Sequence, residues 1–172
     1  MTNTGSDPLD TLARDHVAAA YRFLRSLVGD AETARDLLQD TFVRLAPHAA
    51  AAGPGLVFAT ARSCAVDHLR RRTSRGRVER PAERDLVEAR PAPREHGPDR
   101  ALEEHEFRRD LLAALGDLPE GQRTVFHLSE IEGRSYAEIA AVLGVPAGTI
   151  ASRKHHAVRK LREQLGRLGH ES

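Results

Sequence analysis

The 172 residues contain no tryptophan, one methionine and one cysteine, and aromatic residues make up only 4%. A core short of large rings must be built from Leu, Val, Ala and Ile. That suits packed helices better than sheets, whose preferences lean on aromatic and β-branched side chains. The solitary Cys64 excludes an internal disulfide framework and any metal site built on several cysteines, and a reducing cytoplasm is the expected home. No apolar run approaches the roughly 20 residues a membrane span needs, and the opening MTNTGSDPLD lacks the basic and apolar pattern of a secretory signal. A soluble chain without membrane insertion is therefore expected. The net charge of +1 says little about partners, because charge is distributed unevenly along the chain. The length allows one or two small domains.

What is present is concentrated between Gly133 and Leu165. Ser135 followed by Glu138 is a capping box, so a helix is predicted from Tyr136, with Ile139, Ala140 and Leu143 on one face and Gly144 as its left-handed end. Pro146 suits the first turn of the next helix, which turns Ile150, Ala157, Val158, Leu161 and Leu165 inward. Its other face carries Ser152, Arg153, Lys154, His156, Arg159, Lys160 and Arg162. A short helix, a glycine turn and a basic second helix make a helix-turn-helix, whose second helix enters the major groove of DNA. A generic helical hairpin with a solvated basic face is the alternative, but capping, turn, apolar spacing and charge asymmetry all agree on the DNA-reading form.

In chain order, residues 1–8 read as a disordered lead. An amphipathic helix follows with Leu12, Ala13, Val17, Ala20, Tyr21, Leu24, Leu27 and Val28 inward, ending at Gly29. Asp30 caps a second helix that buries Ala34, Leu37, Leu38, Phe42 and Leu45, and Pro47 ends it. HAAAAGPG reads as a loop. A third helix begins near Leu56 and breaks into HLRRRTSRGR. Six arginines, Arg62, Arg70, Arg71, Arg72, Arg75 and Arg77, lie within 62–77 with Asp67 as the only acid there, which favours a phosphate-binding face over a merely solvated run. Glu79 to Pro98 holds four prolines and only Leu86 and Val87 as sizeable apolar side chains, too few to order it, so it reads as a linker. A helix from Asp99 with Leu102, Phe107, Leu111, Leu112 and Leu115 inward, then one opened by Leu118-Pro119 with Val125, Phe126, Leu128 and Ile131 inward, lead into the hairpin. The expected fold is all-α: two small helical domains over 8–75 and 99–170 on a flexible linker, 76–98, the second ending in the helix-turn-helix.

This organisation resembles a bacterial RNA polymerase sigma factor of the extracytoplasmic-function class. The residues that carry the resemblance are DLLQDTFVRL at 36–45, FATARSCAVDHLRRR at 58–72, LPEGQRTVF at 118–126 and SYAEIAAVLGVPAGTIASR at 135–153. It implies a protein that binds core RNA polymerase through the clamp coiled coil and the flap, and directs it to promoter DNA. Asp36, Gln39, Asp40 and Arg44 match the clamp-docking segment. Arg62, His68, Arg70, Arg71 and Arg72 match the part that opens and reads the minus-ten element. Thr149, Ser152, Arg153, Lys154, His156 and Arg159 fall in the reader of the minus-thirty-five element. The family also implies an anti-sigma factor as inhibitory partner, and polymerase binding is expected to expose both DNA-reading faces. On the residues alone, a docking stripe on the second helix is not distinguishable from a solvated one.

The chain departs from the family pattern at Ala46-Pro47, where a Trp is usual, at Ser63-Cys64, where Asn often stands, at Ala151, and at His155 to Val158, where arginines are common. A bidentate base contact is worth about 1–3 kcal/mol, so these changes alter promoter preference without abolishing groove binding. They also motivate a second reading, a sigma-like mimic that binds an anti-sigma factor without reading promoters. A stand-alone helix-turn-helix regulator is a third. No nucleophile with a neighbouring base, no phosphate-cradling glycine loop and no metal constellation appears, so neither an enzyme nor a cofactor is expected. His155 and His156 point in different directions as helix neighbours, while His68, His105 and His127 have no ligand-spaced partner that would raise them above surface residues. Cys64 reads as a buried small side chain.

Overall fold

The computed structural model describes residues 7–74 and 98–170, with side chains in the second span from 104 onward. The lead up to residue 6, the linker over 76–97, Arg75, Arg77 and the side chain of Leu102 lie outside the described residues. The described residues form helices α1 (Pro8–Val28), α2 (Ala31–Leu45), α3 (Pro54–Ser74), α4 (Pro98–Gly116), α5 (Glu120–Phe126), α6 (Tyr136–Leu143) and α7 (Ala147–Arg167), and no strand is found among them.

Local chemistry sets most boundaries. The Asp7 carboxylate accepts from the Leu9 amide ahead of Pro8, and Gly29, at φ 79°, closes α1 in the left-handed region where a side chain is disfavoured. The Asp30 carboxylate accepts from the Thr33 amide at 2.7 Å and starts α2. Hydrogen bonds from Thr33 hold the Asp30 carboxyl below its ordinary range, against the small opposing effect of burial. Beyond Leu45 the chain tightens into a 3-10 turn over Ala46–His48, because Pro47 fits the first turn of a new segment but cannot extend the old ladder. α1 and α4 each begin one residue before expectation, at Pro8 and Pro98, and α3 differs at both ends. α3 begins at Pro54 rather than Leu56 and stays helical through Ser74, so Arg70, Arg71 and Arg72 are helical instead of lying in a broken segment.

The capping box forms in full. The Ser135 hydroxyl accepts from the Glu138 amide at 3.3 Å and the Glu138 carboxylate accepts from the Ser135 amide at 2.8 Å. Gly144 ends α6 at φ 64°, and Pro146 stands just ahead of α7. Ser135→Ala should cost about 1 kcal/mol, read as an earlier midpoint in urea unfolding; an unchanged midpoint would mean the box contributes nothing.

α1, α2 and α3 pack into one three-helix unit, and α4 to α7 into another. Each has a small core: Leu12, Ala20, Leu45, Ala49 and Val57 in the first, and Ala114, Leu115, Leu118, Ala157 and Leu161 in the second. The largest cluster belongs to both. Phe23, Leu24, Phe58, Ala61 and Cys64 from the first unit meet Val125, Leu128, Ile139 and Ile150 from the second, with α3 lying against α6 and α1 against α5.

Several expected core positions are outside. Val17, Phe107 and Ile131 are exposed, and Val158 and Leu165 are half-buried. For Ile131 the reason is visible: α5 runs into a π-helical turn over His127–Ile131, in which the Glu132 amide donates to the His127 carbonyl. His127 and Leu128 follow the buried Thr124 and Val125 by three residues and point inward at ordinary helical spacing, while the extra residue in the turn shifts the register beyond them and leaves Ile131 outward. His127, expected at the surface, is thus buried at 3% exposure, whereas Cys64 is buried as expected.

Candidate nucleic-acid interface

α7 packs through Ile150, Ala157 and Leu161. Ser152, His156 and Arg159, at spacings of four and three, share its open side. The Ser152 hydroxyl donates to the Thr149 carbonyl, and an Arg159 Nη lies 3.3 Å from His156 Nδ1. The other three predicted readers sit differently. Thr149, Arg153 and Lys154 are partly buried. The Arg153 guanidinium covers the start of α5 so closely that a methyl group on Gly121 would lie 3.3 Å from it. The Lys154 ammonium rests on the Glu130 carboxylate and 5.6 Å from the centre of the Tyr136 ring. The hydrogen bond between them raises the Lys154 ammonium and lowers the Glu130 carboxyl.

In α3, successive residues are turned by about 100°, so Arg70, Arg71 and Arg72 fan around the helix end instead of forming one track. Arg70 and Arg71 are exposed and Arg72 is partly buried. His68 is partly buried with Nε2 enclosed and without a hydrogen bond; burial, then Arg72 and Arg71, lower its pKa. Arg62 reaches out of the first unit altogether. Its Nε and Nη2 donate to the two oxygens of Glu120 at 2.8 and 3.1 Å, and the Thr124 hydroxyl donates to the same carboxylate at 2.9 Å.

On α2, Asp36, Gln39, Asp40 and Arg44 are all exposed, opposite the buried Ala34, Leu37, Thr41 and Leu45. Arg44 stands 3.7 Å from Asp67. Thr41, which the apolar pattern passes over, is buried because its hydroxyl donates to the Leu37 carbonyl at 2.6 Å, which satisfies it inside the helix.

Sequence reasoning missed the polar seam between the units. Arg123 donates from Nη1 to the Leu27 carbonyl and from Nη2 to the Gly116 and Leu118 carbonyls, each at 2.8 Å, tying the end of α1 to the turn before α5. Arg22 pairs with Glu132 at 3.1 Å, and Glu132 also stands 3.4 Å from His127 Nε2, within ion-pair reach but without hydrogen-bond alignment. Burial pushes the Glu132 carboxyl up, but His127 and Arg22 outweigh it and hold it below the ordinary glutamate range. The spacing of Glu120, Glu130 and Glu132 was readable; their partners, 24 to more than 100 residues away in the chain, were not. Among the described residues no group of three or more His, Cys, Asp and Glu could hold a metal ion, and no helix is long and apolar enough to cross a membrane.

Residues 12–75 match the family description "Sigma-70 region 2" and residues 108–161 match "Sigma-70, region 4". The ECF RNA polymerase sigma factor SigE of Mycolicibacterium smegmatis is 34% identical over 167 residues, covering 95% of this chain and 63% of that protein. SigL of Mycobacterium tuberculosis, another ECF sigma factor, is 33% identical over 165 residues, covering 90% of this chain and 87% of its own length. Among solved structures, the sigma factor RpoE of Bartonella quintana, in complex with the anti-sigma factor NepR, superposes with a TM-score of 0.68 over 90% of this chain and 94% of that one. At 24% identity that likeness speaks for the fold. With both sigma regions matched in order and relatives of this similarity along nearly the whole chain, the protein belongs to the extracytoplasmic-function family of RNA polymerase sigma factors.

Proposed function

We propose that the protein acts in the cytoplasm as an alternative sigma factor, binding core RNA polymerase and directing promoter-specific initiation by binding alone, without catalysis of its own. The first domain, 8–75, docks on the clamp coiled coil through Asp36, Gln39, Asp40 and Arg44, and meets the minus-ten element with Arg62, His68 and Arg70 to Arg72. The second, 99–170, sits on the flap and reads the minus-thirty-five element with α7. An anti-sigma factor is the expected inhibitory partner, a reading supported by the complex in which RpoE was solved.

The observation that carries this reading is the capped helix, left-handed Gly144 turn and α7 with its open row of Ser152, His156 and Arg159, in a chain that also matches region 2. Run-off transcription with purified core polymerase on promoter fragments tests it. Discrete starts sharing two spaced upstream elements are expected. Core binding without starts would favour the sigma-like mimic, and absence of core binding a stand-alone regulator, although that leaves the match over 12–75 without a role.

Arg159→Ala should weaken promoter capture while core-polymerase affinity stays unchanged. For a single lost phosphate contact, the slope of log affinity against log salt should fall by about 0.9. Equal loss of promoter capture and core binding would refute the division of labour.

A further inference from the structure

Two polar side chains on the open face of α7 are already hydrogen-bonded within the helix, and those bonds fix how each can bond outward. An Arg159 Nη2 lies 3.3 Å from His156 Nδ1. A guanidinium has donors only, so Nδ1 accepts, and the one hydrogen of the neutral ring stands on Nε2. The His155 ring flanks that of His156 at 73°, with centroids 5.8 Å apart. One turn earlier the Ser152 hydroxyl donates its hydrogen to the Thr149 carbonyl at 3.1 Å, which leaves its oxygen as an acceptor. We propose that these bonds preset the polarity of the reading face. Ser152 accepts from a base amino group, and His156 is a single N–H donor to the acceptor edge of guanine, with Arg159 as the positioning residue that fixes its tautomer.

The base preference follows from what the major groove displays. Guanine presents two adjacent acceptors, N7 and O6, whereas adenine sets an amino group beside N7, thymine offers one acceptor beside a methyl group, and cytosine presents an amino donor. A ring with its hydrogen on Nε2 favours guanine and opposes cytosine, donor against donor. The other tautomer does the reverse, since a bare Nε2 accepts from the cytosine amino group. Arg159 decides between the two. The Ser152 oxygen, by contrast, fits the amino groups of cytosine and adenine. Four residues apart, the two groups are separated by about 6 Å along the helix, more than the spacing of about 3.4 Å between neighbouring base pairs, so they meet different pairs.

This inference rests on the reading of α7 as the helix that meets promoter DNA, and it gives Arg159 a second role. The guanidinium carries five N–H donors, so the one on Nδ1 leaves others for a phosphate. Losing a phosphate contact weakens every sequence alike and leaves base preference unchanged. Losing the tautomer lock changes base preference at the one position that His156 reads.

The test selects bound duplexes from a pool randomised over the upstream element, using core polymerase with the full-length parent, Ser152→Ala, His156→Ala, His156→Arg or Arg159→Met. All three residues are exposed, so no substitution opens a cavity. The parent should prefer guanine over cytosine at one position by about tenfold, and His156→Ala should cut that preference to below about twofold. His156→Arg should restore it through paired donors. Arg159→Met should flatten the same position and leave the profile elsewhere unchanged, and Ser152→Ala should relax a preference for cytosine or adenine at a second position. Guanine preference that survives in either His156→Ala or Arg159→Met overturns the proposal, as does a His156-dependent position that prefers another base. A parent that enriches no motif sinks the sigma-factor reading itself, whereas an enriched motif whose profile the variants do not move sinks only the preset polarity.

Discussion

Phe23→Ala lowers the stability of the full-length protein by about 3–5 kcal/mol, the largest effect expected of a single truncation here. Phe23 has no exposed surface, meets Phe58 edge-on at 5.5 Å and lies 5.4 Å from the His127 ring. Phe58 belongs to the same three-helix unit and His127 to the other, so the cavity opens at their junction. Removing the ring takes away its transfer free energy and an edge-to-face pair, and leaves a hole that two rigid units cannot both collapse into. Urea unfolding of the parent and variant measures it. Leu12→Ala, which empties a site inside the first unit only, is the reference. A Phe23 loss below about 1 kcal/mol, with the Leu12 loss in the usual range of about 2–5, would mean that the junction is not closed in solution.

Acid weakens the same junction. Burial is the main cause that lowers the His127 pKa; Glu132 opposes it and Arg22 adds to it. Burial, followed by Arg72 and Arg71, lowers His68 in the same direction, with Asp30 opposing. A histidine whose folded pKa lies below the unfolded value, near 6.5, binds fewer protons folded than unfolded. Stability is therefore flat above about pH 6.5 and falls as the pH drops below it, by at most about 1.4 kcal/mol per pH unit for each histidine until its folded pKa is passed. Glu132 and Asp30, both lowered, carry the same sign but act near the carboxylate range, further down the pH scale. His127→Phe removes one of the two histidine contributions. Thermal unfolding followed from pH 7.5 to 5.5 should give a shallower slope in that variant than in the parent. Identical slopes would show that His127 is not buried as a neutral ring.

Both effects arise where the sequence is hardest to read. The helix ends were legible because their causes are local: Ser135 and Glu138 cap each other three residues apart, and Gly29 and Gly144 adopt the left-handed conformation that ends a helix cheaply. The buried faces of α2 and α7 followed from helical periodicity, as did the exposure of Asp36, Gln39, Asp40, Ser152, His156 and Arg159. Periodicity failed at Ile131, because it assumes one register and the π turn inserts a residue that no side-chain pattern announces, whereas His127 lies at helical spacing from the buried Thr124 and was set aside only as a polar residue without a ligand partner. It also passed over Thr41, whose hydroxyl is satisfied by its own helix. The junction itself was invisible. Leu24, Leu128 and Ile139 each read as core of their own unit, the pattern passed over Phe23 altogether, and nothing in a local pattern says that two cores are one. For the same reason Arg62 read as an open cation while its partner, Glu120, stands 58 positions further on.

In the free sigma factor the two helical units share one core and the Arg62–Glu120 pair joins them, so binding of core polymerase is expected to part them. Energy transfer between dyes on cysteines introduced at Ala50 and Leu168, exposed positions in the two units, tests it most directly, since the buried Cys64 is shielded from labelling. Efficient transfer in the free protein, falling when core polymerase is added, is the predicted result. Transfer that is equally weak with and without polymerase would contradict the closed state, and transfer that stays equally strong would contradict its opening.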